Sequence, residues 1–482
     1  MHFAIIFKVL GLLLMLFSLT LVPPLLVSLW YGDGGHLSFL LAFVITLFTG
    51  VSMWLPVYRV RQDLRTRDGF LITSLFWSVL GAFGSLPLIL STATQLSFTD
   101  ALFESLSGLT TTGATVLTAI DYLPESLLYY RQQLQWLGGI GIVVIAVAIL
   151  PMLGIGGMQL YRAEAPGPVK DNKLTPRITE TAKALFLIYL LITLACGFGY
   201  WLAGMPIFDA VGHAFSTAAN GGFSTHDASL GYFDSPAVLM IAMVFMMVSG
   251  VNYALHFIAW QQRSILSYLR DSEFKFYMSM ILLGIFIAVF YLWHSDTYGF
   301  FEGLLLGSFQ VISTLTTAGF SAANVSVWPT FLPILIFLFA FMGGCATSTG
   351  GGIKMIRILL IFKQGLRELH RLVHPNAVIP IKVGNRTVSD RVVEAVWGFF
   401  AVYVISYLTI CVLLLATGLD FLTAFTAVGA CINNLGPGLG NVSQHFGDIS
   451  DPAKWLLCFA MLLGRLEVFT LLVLFTPAFW RR

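Results

Sequence analysis

Four short segments of the chain are rich in glycine, serine, threonine and asparagine, and their sequences contain no charged residue. They are residues 107–115 (SGLTTTGAT), 215–225 (FSTAANGGFST), 312–322 (ISTLTTAGFSA) and 429–440 (GACINNLGPGLG), called segments one to four below. The segments align on one glycine, which is Gly113, Gly222, Gly319 and Gly436 in turn. The recurrence of one polar pattern indicates one shared chemical task.

The chemistry that fits these residues is coordination of a small monovalent cation by backbone oxygen. Glycine permits dihedral angles that turn carbonyl groups toward an axis, and four such strands would replace the hydration shell of an ion. Calcium sites usually use carboxylates, which the segments lack. The candidate ion-coordinating residues are Thr111, Thr112, Gly113, Asn220, Gly221, Gly222, Thr317, Ala318, Gly319, Asn434, Leu435 and Gly436.

The elements that position these segments are expected to lie in lipid. Of the 482 residues, 57% are hydrophobic and only 10% are charged, whereas soluble proteins contain about 25% charged residues. A formal net charge of +2 argues against nucleic acid as the main partner. The five cysteines lie in apolar runs and match neither a zinc motif nor a disulfide framework.

Ten apolar stretches are long enough to span a bilayer, which takes about 20 residues. They are residues 3–29, 37–58, 69–91, 128–150, 184–204, 236–260, 276–294, 330–363, 393–418 and 455–479. Most cationic residues follow alternate spans, so the positive-inside rule predicts that both termini are cytoplasmic. The first stretch lacks a cleavage site and is predicted to be a retained span.

Each polar segment follows an apolar run that is too short to span and precedes a full span. The sequence therefore predicts four copies of one unit, each made of a span, a half-length helix, a polar strand and a second span. With two full spans each, all copies share one orientation around an axis along the membrane normal. The predicted domains are 1–67 with two extra spans, 68–160, 161–265 and 266–372 as pore repeats, and 373–482 as a cytoplasmic hairpin with the fourth repeat.

This arrangement resembles the superfamily of potassium transporters that contains the bacterial Trk and Ktr membrane subunits and the plant HKT proteins. The two extra spans resemble the TrkH type. The resemblance covers essentially the whole chain and rests on the four recurring segments and on the insert GGCATSTGGGIK in the third unit. Segment four, with NNLGPGLG, departs most from the Thr-Thr-Gly pattern, which implies asymmetry around the axis.

The resemblance implies an all-α integral membrane protein with four pseudo-symmetric span–pore loop–span repeats around a central pore. It implies that the four glycines belong to a selectivity filter for K⁺, the transported ion, and that no organic cofactor is bound. It also implies a homodimer with one pore per protomer in the bacterial inner membrane. The expected cytoplasmic partner is a nucleotide-binding regulatory subunit of the TrkA type.

The insert at 343–354 is predicted to break the eighth span. It lacks the adjacent Gly and Lys of a phosphate loop. A flexible run of small residues beside the filter could occlude the pore and act as a gate, and a packing kink is the alternative. The candidate gate residues are Gly343, Gly344, Cys345, Ala346, Thr347, Ser348, Thr349, Gly350, Gly351 and Gly352.

Arg465 is a charged residue in the middle of the last span and is a second gate candidate. It is predicted to project into the pore as an electrostatic barrier to cations. A structural pair with a carboxylate such as Glu467 is the alternative, although residues two positions apart on a helix do not face each other. Glu104 and His213 occupy equivalent positions nine residues before the filter glycine and are predicted to form hydrogen bonds behind the filter.

Three classes of function are compatible with a polytopic membrane protein of this size. The leading hypothesis is a gated potassium-uptake pathway. The alternative is a carrier that couples potassium to protons or sodium, which would require titratable groups in the pathway. The third class is an intramembrane enzyme, which would require a paired nucleophile and base or two facing aspartates, and the sequence shows neither. Residues 374–390 are predicted to form a short hairpin around Gly384, where a partner could dock, and an ordinary loop is the alternative.

Overall fold

The computed structural model describes residues 2–60, 66–139, 141, 178–329, 331–384 and 386–481. The helices up to Gly139 are α1 (Phe3–Leu19), α2 (Val22–Tyr31), α3 (His36–Trp54), α4 (Thr66–Gly84), α5 (Leu86–Leu90), α6 (Phe98–Leu109) and α7 (Glu125–Gly139). Those from Ile178 to Val373 are α8 (Ile178–Leu202), α9 (Ile207–Ala219), α10 (Pro236–Ser249), α11 (Tyr253–Gln262), α12 (Leu266–Arg270), α13 (Ser272–His294), α14 (Phe300–Leu315), α15 (Phe331–Phe339) and α16 (Met355–Val373). The remainder are α17 (Asp390–Ala416), α18 (Phe421–Ile432), α19 (Asp451–Arg465), α20 (Phe469–Leu472) and α21 (Pro477–Trp480). This confirms the all-helical fold class.

The described residues contain one pair of strands, β1 (Lys382–Val383) and β2 (Arg386–Thr387), which run antiparallel. Lys382 pairs with Thr387, and Val383 pairs with Arg386. The hairpin that links them lies where the sequence predicts it, around Gly384, which has a φ of 60°. A positive φ of this kind suits glycine because it has no Cβ.

Six described helical stretches are long and apolar enough to cross a membrane. They are Phe3–Tyr31, His36–Val57, Arg67–Leu90, Ala182–Leu202, Ser272–His294 and Asp390–Ala416. The stretch from His36 to Val57 is the most peripheral, since only 17% of its apolar window is buried against protein. Such exposed apolar surface needs lipid around it. The predicted span at 128–150 is described only as far as Gly139, and its continuation lies outside the described residues.

Two of the predicted spans, 236–260 and 455–479, are sharply bent in the structure. Helices α10 and α11 meet at 91°, and α19 meets the helical residues Phe469–Phe475 at 110°. At the first bend, the Asn252 side chain caps α11 by accepting a hydrogen bond from the Ala254 amide at 2.9 Å. At the second, Glu467 and Val468 adopt positive φ values of 55° and 52°. Both changes end the regular i to i−4 hydrogen bonding of the helix.

Four short helices, α6, α9, α14 and α18, precede the four polar segments. They contain 12, 13, 16 and 12 residues, and a helix of 12 residues is about 18 Å long, roughly half of a bilayer core. Ser97 and Asp420 begin α6 and α18 as N-caps, with side chains that accept hydrogen bonds from Asp100 and Thr423 amides. Every residue of α6 from Ala101 to Leu109 is buried, so this helix lies inside the protein.

Candidate ion-coordinating site

The four polar segments adopt the same backbone conformation. The residue two positions before each glycine has a positive φ, which is 56° at Thr111, 51° at Asn220, 59° at Thr317 and 52° at Asn434. The aligned glycine is also positive, with φ values of 80°, 80°, 77° and 103° from segment one to segment four. Two left-handed residues in alternation turn the chain sharply after each short helix. The sequence alignment of the segments therefore corresponds to a structural equivalence.

Each short helix ends with the same backbone hydrogen bond, which joins residues five positions apart. The amides of Thr112, Gly221, Ala318 and Leu435 donate to carbonyl groups five residues earlier, which belong to Ser107, Ser216, Ser313 and Ala430. All four distances are 2.8 Å. This bond and the left-handed residue are typical of a Schellman C-cap. It pulls the segment back toward the helix end, where the partial negative charge of the helix dipole favours a cation.

The aligned glycines pack against neighbouring segments in a closed cycle. A Cβ atom on Gly113 would clash with the carbonyl oxygen of Gly221, and one on Gly222 would clash with that of Ala318. A Cβ on Gly319 would clash with the Leu435 oxygen, and one on Gly436 would lie 2.8 Å from the Thr112 oxygen. Segment one therefore contacts two, two contacts three, three contacts four, and four contacts one. The four backbones form a ring, called the carbonyl ring below.

A cavity of about 760 Å³ lies on one side of the carbonyl ring. All four aligned glycines line it, together with residues that follow them in each segment. Its wall also contains the charged or titratable side chains of Arg131, His226, Asp227 and His445. Water and ions in this cavity would have direct access to the glycine side of the ring.

His226 joins the residues that follow segments one and two at the edge of this cavity. Its Nδ1 lies 2.5 Å from Asp121 Oδ1, and its Nε2 lies 3.7 Å from Asp209 Oδ1. Its ring stacks on Tyr232 with a centroid separation of 3.5 Å. Burial lowers the pKa of His226, but hydrogen bonds and charge from Asp209 and Asp121 outweigh this effect and raise the pKa above its usual value.

The candidate gate residues lie on the opposite side of the carbonyl ring, between α15 and α16. We call residues 343–352 the crossing loop. Thr349 contacts segment two: its hydroxyl donates to the Ala218 carbonyl at 3.1 Å and lies 3.3 Å from Asn220 Nδ2. The same hydroxyl is 3.2 Å from the Ser249 carbonyl at the bend after α10. The loop is therefore held against residues that precede the aligned glycine.

The crossing loop also contacts segments three and four. The Gly351 amide donates to Thr317 Oγ1 at 2.6 Å, and the Gly352 amide donates to the Asn433 carbonyl at 3.0 Å. A Cβ atom on Gly351 would clash with that same carbonyl oxygen. Glycine is required here because backbone approaches backbone directly. The loop thus reaches across the axis of the ring.

Two buried residues that are not part of the crossing loop, Glu273 and Lys354, hold it in place by hydrogen bonds. Neither role was predicted from the sequence. Glu273 Oε1 accepts hydrogen bonds from the amides of Ala346 at 2.7 Å and Ile356 at 3.2 Å. The Lys354 ammonium group donates to the carbonyls of Ser348 and Gly350. The sequence groups Lys354 with the cytoplasmic cations of the region that follows, but its side chain is buried. Its position two residues after Gly352, at the end of the glycine run, was the available signal.

The remaining residues of the crossing loop form hydrogen bonds to the bend between α10 and α11 and to the loop's own ends. The Cys345 amide donates to the Gly250 carbonyl at 2.8 Å, and Thr347 Oγ1 donates to Asn252 Oδ1 at 2.5 Å. Gly343 and Gly344 contact the other end of the loop, since the Met355 amide donates to the Gly344 carbonyl at 3.0 Å and Gly343 packs on Gly351 and Gly352. A backbone hydrogen bond from Cys345 therefore connects the crossing loop to the bend between α10 and α11.

Arg465 lies between segment one and the crossing loop. Its guanidinium donates to Thr111 Oγ1 at 3.3 Å, to the Gly139 carbonyl at 3.0 Å and to the Gly138 carbonyl. It also lies 3.5 Å from the Thr349 carbonyl oxygen. Glu467, the carboxylate named as an example in the alternative, pairs with Arg357 at 2.8 Å.

The polar side chains of the short helices hydrogen-bond to the segments of their own repeats. Glu104 accepts from Thr115 Oγ1 in segment one at 3.0 Å, from the Val116 amide at 2.9 Å and from Arg131 Nε at 2.8 Å. His213 Nε2 lies 2.9 Å from Ser224 Oγ. Among the described residues, no group of three His, Cys, Asp or Glu side chains could hold a metal ion. Coordination at this site would depend on backbone and hydroxyl oxygens.

Comparison with known proteins gives a consistent result. A family model described as "TrkH: Cation transport protein" matches residues 35–482. The chain is 58% identical over 482 residues to a Trk system potassium uptake protein TrkH from Halomonas elongata, and both chains are covered completely. It is 54% identical over 484 residues to the protein of the same name from Escherichia coli, again over the full length of both.

A solved structure agrees with these sequence matches. The crystal structure of the potassium transporter TrkH from Vibrio parahaemolyticus superimposes with a TM-score of 0.91 at 51% sequence identity, and all of both chains is covered. An identity of this size over the full length shows common descent as well as a common fold. The chain therefore belongs to the TrkH family of cation transport proteins.

Proposed function

We propose that this chain is the membrane subunit of a potassium-uptake system and that K⁺ crosses the membrane through the carbonyl ring. The chain is a transporter by family and not an enzyme, and its relatives from H. elongata and E. coli are named as potassium uptake proteins. The observation that carries the proposal is the closed cycle of glycine–carbonyl contacts. Four equivalent strands place carbonyl oxygens around one axis, which suits a dehydrated monovalent cation.

The crossing loop is the proposed gate. It contacts segments two, three and four, and Arg465 connects it to segment one. A cation that leaves the ring on this side meets the loop and the guanidinium charge. Transport in this state requires that the loop and Arg465 move. Hydrogen bonds that can be exchanged for others hold the loop at several points, so its displacement is feasible.

The partners and the location follow from the family and from the charge pattern. We propose that the chain assembles as a homodimer with one pore per protomer, in the bacterial inner membrane and surrounded by lipid. The cationic loops and both termini lie in the cytoplasm. A nucleotide-binding subunit of the TrkA type is the proposed regulator, and the β1–β2 hairpin is a candidate contact for it. Displacement of the crossing loop is then the step that the regulator controls.

The proposal is tested by expression of the chain in a bacterial strain that lacks its own potassium uptake systems. Growth at low K⁺ and uptake of ⁸⁶Rb⁺ are the expected results, and a chain that supports neither at normal expression contradicts the proposal. Recording of the purified protein in planar bilayers then separates the two transport mechanisms. Discrete openings indicate a channel, whereas slow saturable flux indicates the coupled carrier.

A further inference from the structure

A buried ion pair stands beside segments one and two. Arg131 on α7 and Glu104 on α6 are each 1% exposed, and Arg131 Nε lies 2.8 Å from Glu104 Oε1. A buried ion pair is often no more stabilising than apolar side chains of similar volume, because removal of both charges from water is costly. The pair therefore calls for an explanation other than stability.

Both members of the pair contact the strands that follow the aligned glycines. Glu104 accepts hydrogen bonds from Thr115 Oγ1 at 3.0 Å and from the Val116 amide at 2.9 Å, just beyond Gly113. Arg131 donates to Thr115 Oγ1 at 3.1 Å and lies 3.3 Å from the Ser224 carbonyl in segment two. Its Cζ also lies 4.3 Å from the centre of the Phe223 ring. One ion pair thus joins two neighbouring segments.

The four repeats differ at these two positions. The position nine residues before the aligned glycine holds Glu104, His213, Gln310 and Ala427 in turn. The position eighteen residues after the glycine holds Arg131, Met240, Phe337 and Lys454. Lys454 is buried as well, but it pairs with Asp100 at 2.6 Å and donates to the Gly447 carbonyl. Neither of these partners belongs to a polar segment, so Lys454 provides a matched comparison.

We propose that the Arg131–Glu104 pair is a positioning unit that fixes the spacing of segments one and two and thereby sets the preference of the ring for K⁺ over Na⁺. The inference rests on the proposed function. Arginine suits this task because its planar fork directs several donors at fixed angles. The preference of a carbonyl ring depends on how firmly its oxygens are held around the ion. Glu104 also neutralises a guanidinium that lines the cavity before the ring.

The test is competition of ⁸⁶Rb⁺ uptake by Na⁺ in vesicles that contain the full-length protein. The variants are Arg131→Lys, Glu104→Gln and Thr115→Val, with Lys454→Gln as the control for loss of a buried cation. We expect Na⁺ to inhibit Arg131→Lys and Glu104→Gln at about tenfold lower concentration than wild type, which corresponds to about 1.4 kcal/mol. Thr115→Val has nearly the same shape and leaves no charge unpaired, so it should fold and shift in the same direction by a smaller factor.

The control should lower the melting temperature and leave the Na⁺ to Rb⁺ ratio unchanged. Wild-type ratios in folded Thr115→Val and in either charge variant would overturn the positioning role. If the charge variants do not fold, the ratio in Thr115→Val decides alone, and an unchanged ratio overturns the proposal. If wild-type protein itself takes up no Rb⁺, the proposed function fails and not this inference alone.

Discussion

Arg465 and Thr349 meet beneath the carbonyl ring, where Nη1 of the arginine lies 3.5 Å from the carbonyl oxygen of the threonine. The same nitrogen is 3.3 Å from Thr111 Oγ1. One side chain thus connects α19, the crossing loop and segment one, which lie far apart in the sequence. A gate built from these parts would involve all three at once.

Replacement of Gly113 by serine should abolish Rb⁺ uptake or the preference for K⁺. The new Cβ would clash with the Gly221 carbonyl oxygen, at a backbone φ of 80° that disfavours any side chain. The left-handed backbone alone costs about 1–2 kcal/mol, and displacement of a ring oxygen adds to this cost. Uptake of ⁸⁶Rb⁺ with Na⁺ competition measures the effect.

Gly204 provides the matched control for that substitution. Its φ is 94°, but no atom lies within 4 Å of the position of an added Cβ. Gly204→Ser should therefore cost backbone strain only and transport Rb⁺ like the wild type. Normal selectivity in serine variants of Gly113, Gly222, Gly319 and Gly436, tested one at a time, would refute the filter assignment.

Replacement of Arg465 by alanine should increase cation flux. At about 6 Å and an effective dielectric constant of about 20, a guanidinium repels a monovalent cation by roughly 3 kcal/mol. Water lowers this to about 1–2 kcal/mol, which still corresponds to about tenfold in rate. Arg465→Lys keeps the charge and should largely keep the barrier. Rb⁺ uptake per molecule at normal expression is the measurement, and unchanged or lower flux in a well-folded alanine variant would contradict the barrier role.

Deletion of residues 346–351 should raise K⁺ flux or remove its dependence on a cytoplasmic partner. The deletion removes the contacts of Thr349 and Gly351 with segments two and three, while the ring itself keeps its glycines. Thr349→Val is a smaller change that removes only the hydroxyl contacts of the loop, and it should raise flux in the same direction by a smaller factor. Flux in vesicles with and without the regulatory subunit is the readout. A well-expressed deletion with wild-type regulated flux would show that the loop is not the gate.

The contacts of His226 should make thermal stability depend on pH. Although burial opposes protonation, Asp209 and Asp121 raise the pKa of His226 in the folded protein above its value in the unfolded chain. The stabilisation is then fully present below the unfolded value of about 6.5 and is lost as pH rises through the folded pKa. Melting temperature should therefore fall as pH increases above about 6.5. His226→Gln should flatten this part of the profile; an identical slope in the variant would refute the assignment.

The sequence was sufficient to find the four glycine segments, because their pattern recurs with the same spacing to Ser107, Ser216 and Ser313. It was not sufficient to find the bends near Asn252 and Glu467, since hydropathy stays high across both. A bend depends on helix capping and on residues with a positive φ, and neither changes the mean hydropathy of a sequence window by much. The family resemblance itself followed from the repeats and was confirmed by the comparisons.

Contacts between repeats were the part that could not be predicted. Arg131 reaches Ser224, and Arg465 reaches Gly139, over long separations in the chain. Such pairs depend on how the repeats are arranged around the axis, which a single sequence does not specify. Glu273 was missed for the same reason, because its partners at Ala346 and Ile356 belong to another helix and loop.

The closed cycle of glycine contacts has a consequence for how this site can vary. In an assembly of four identical subunits, one codon change would alter all four positions of a ring together. Here the four positions are encoded separately, so a substitution changes one quarter of the circumference and leaves three quarters intact. Segment four, in which Leu435 and Pro437 flank the glycine, shows that the quarters have already diverged. The ring can therefore be tuned in graded steps, one position at a time.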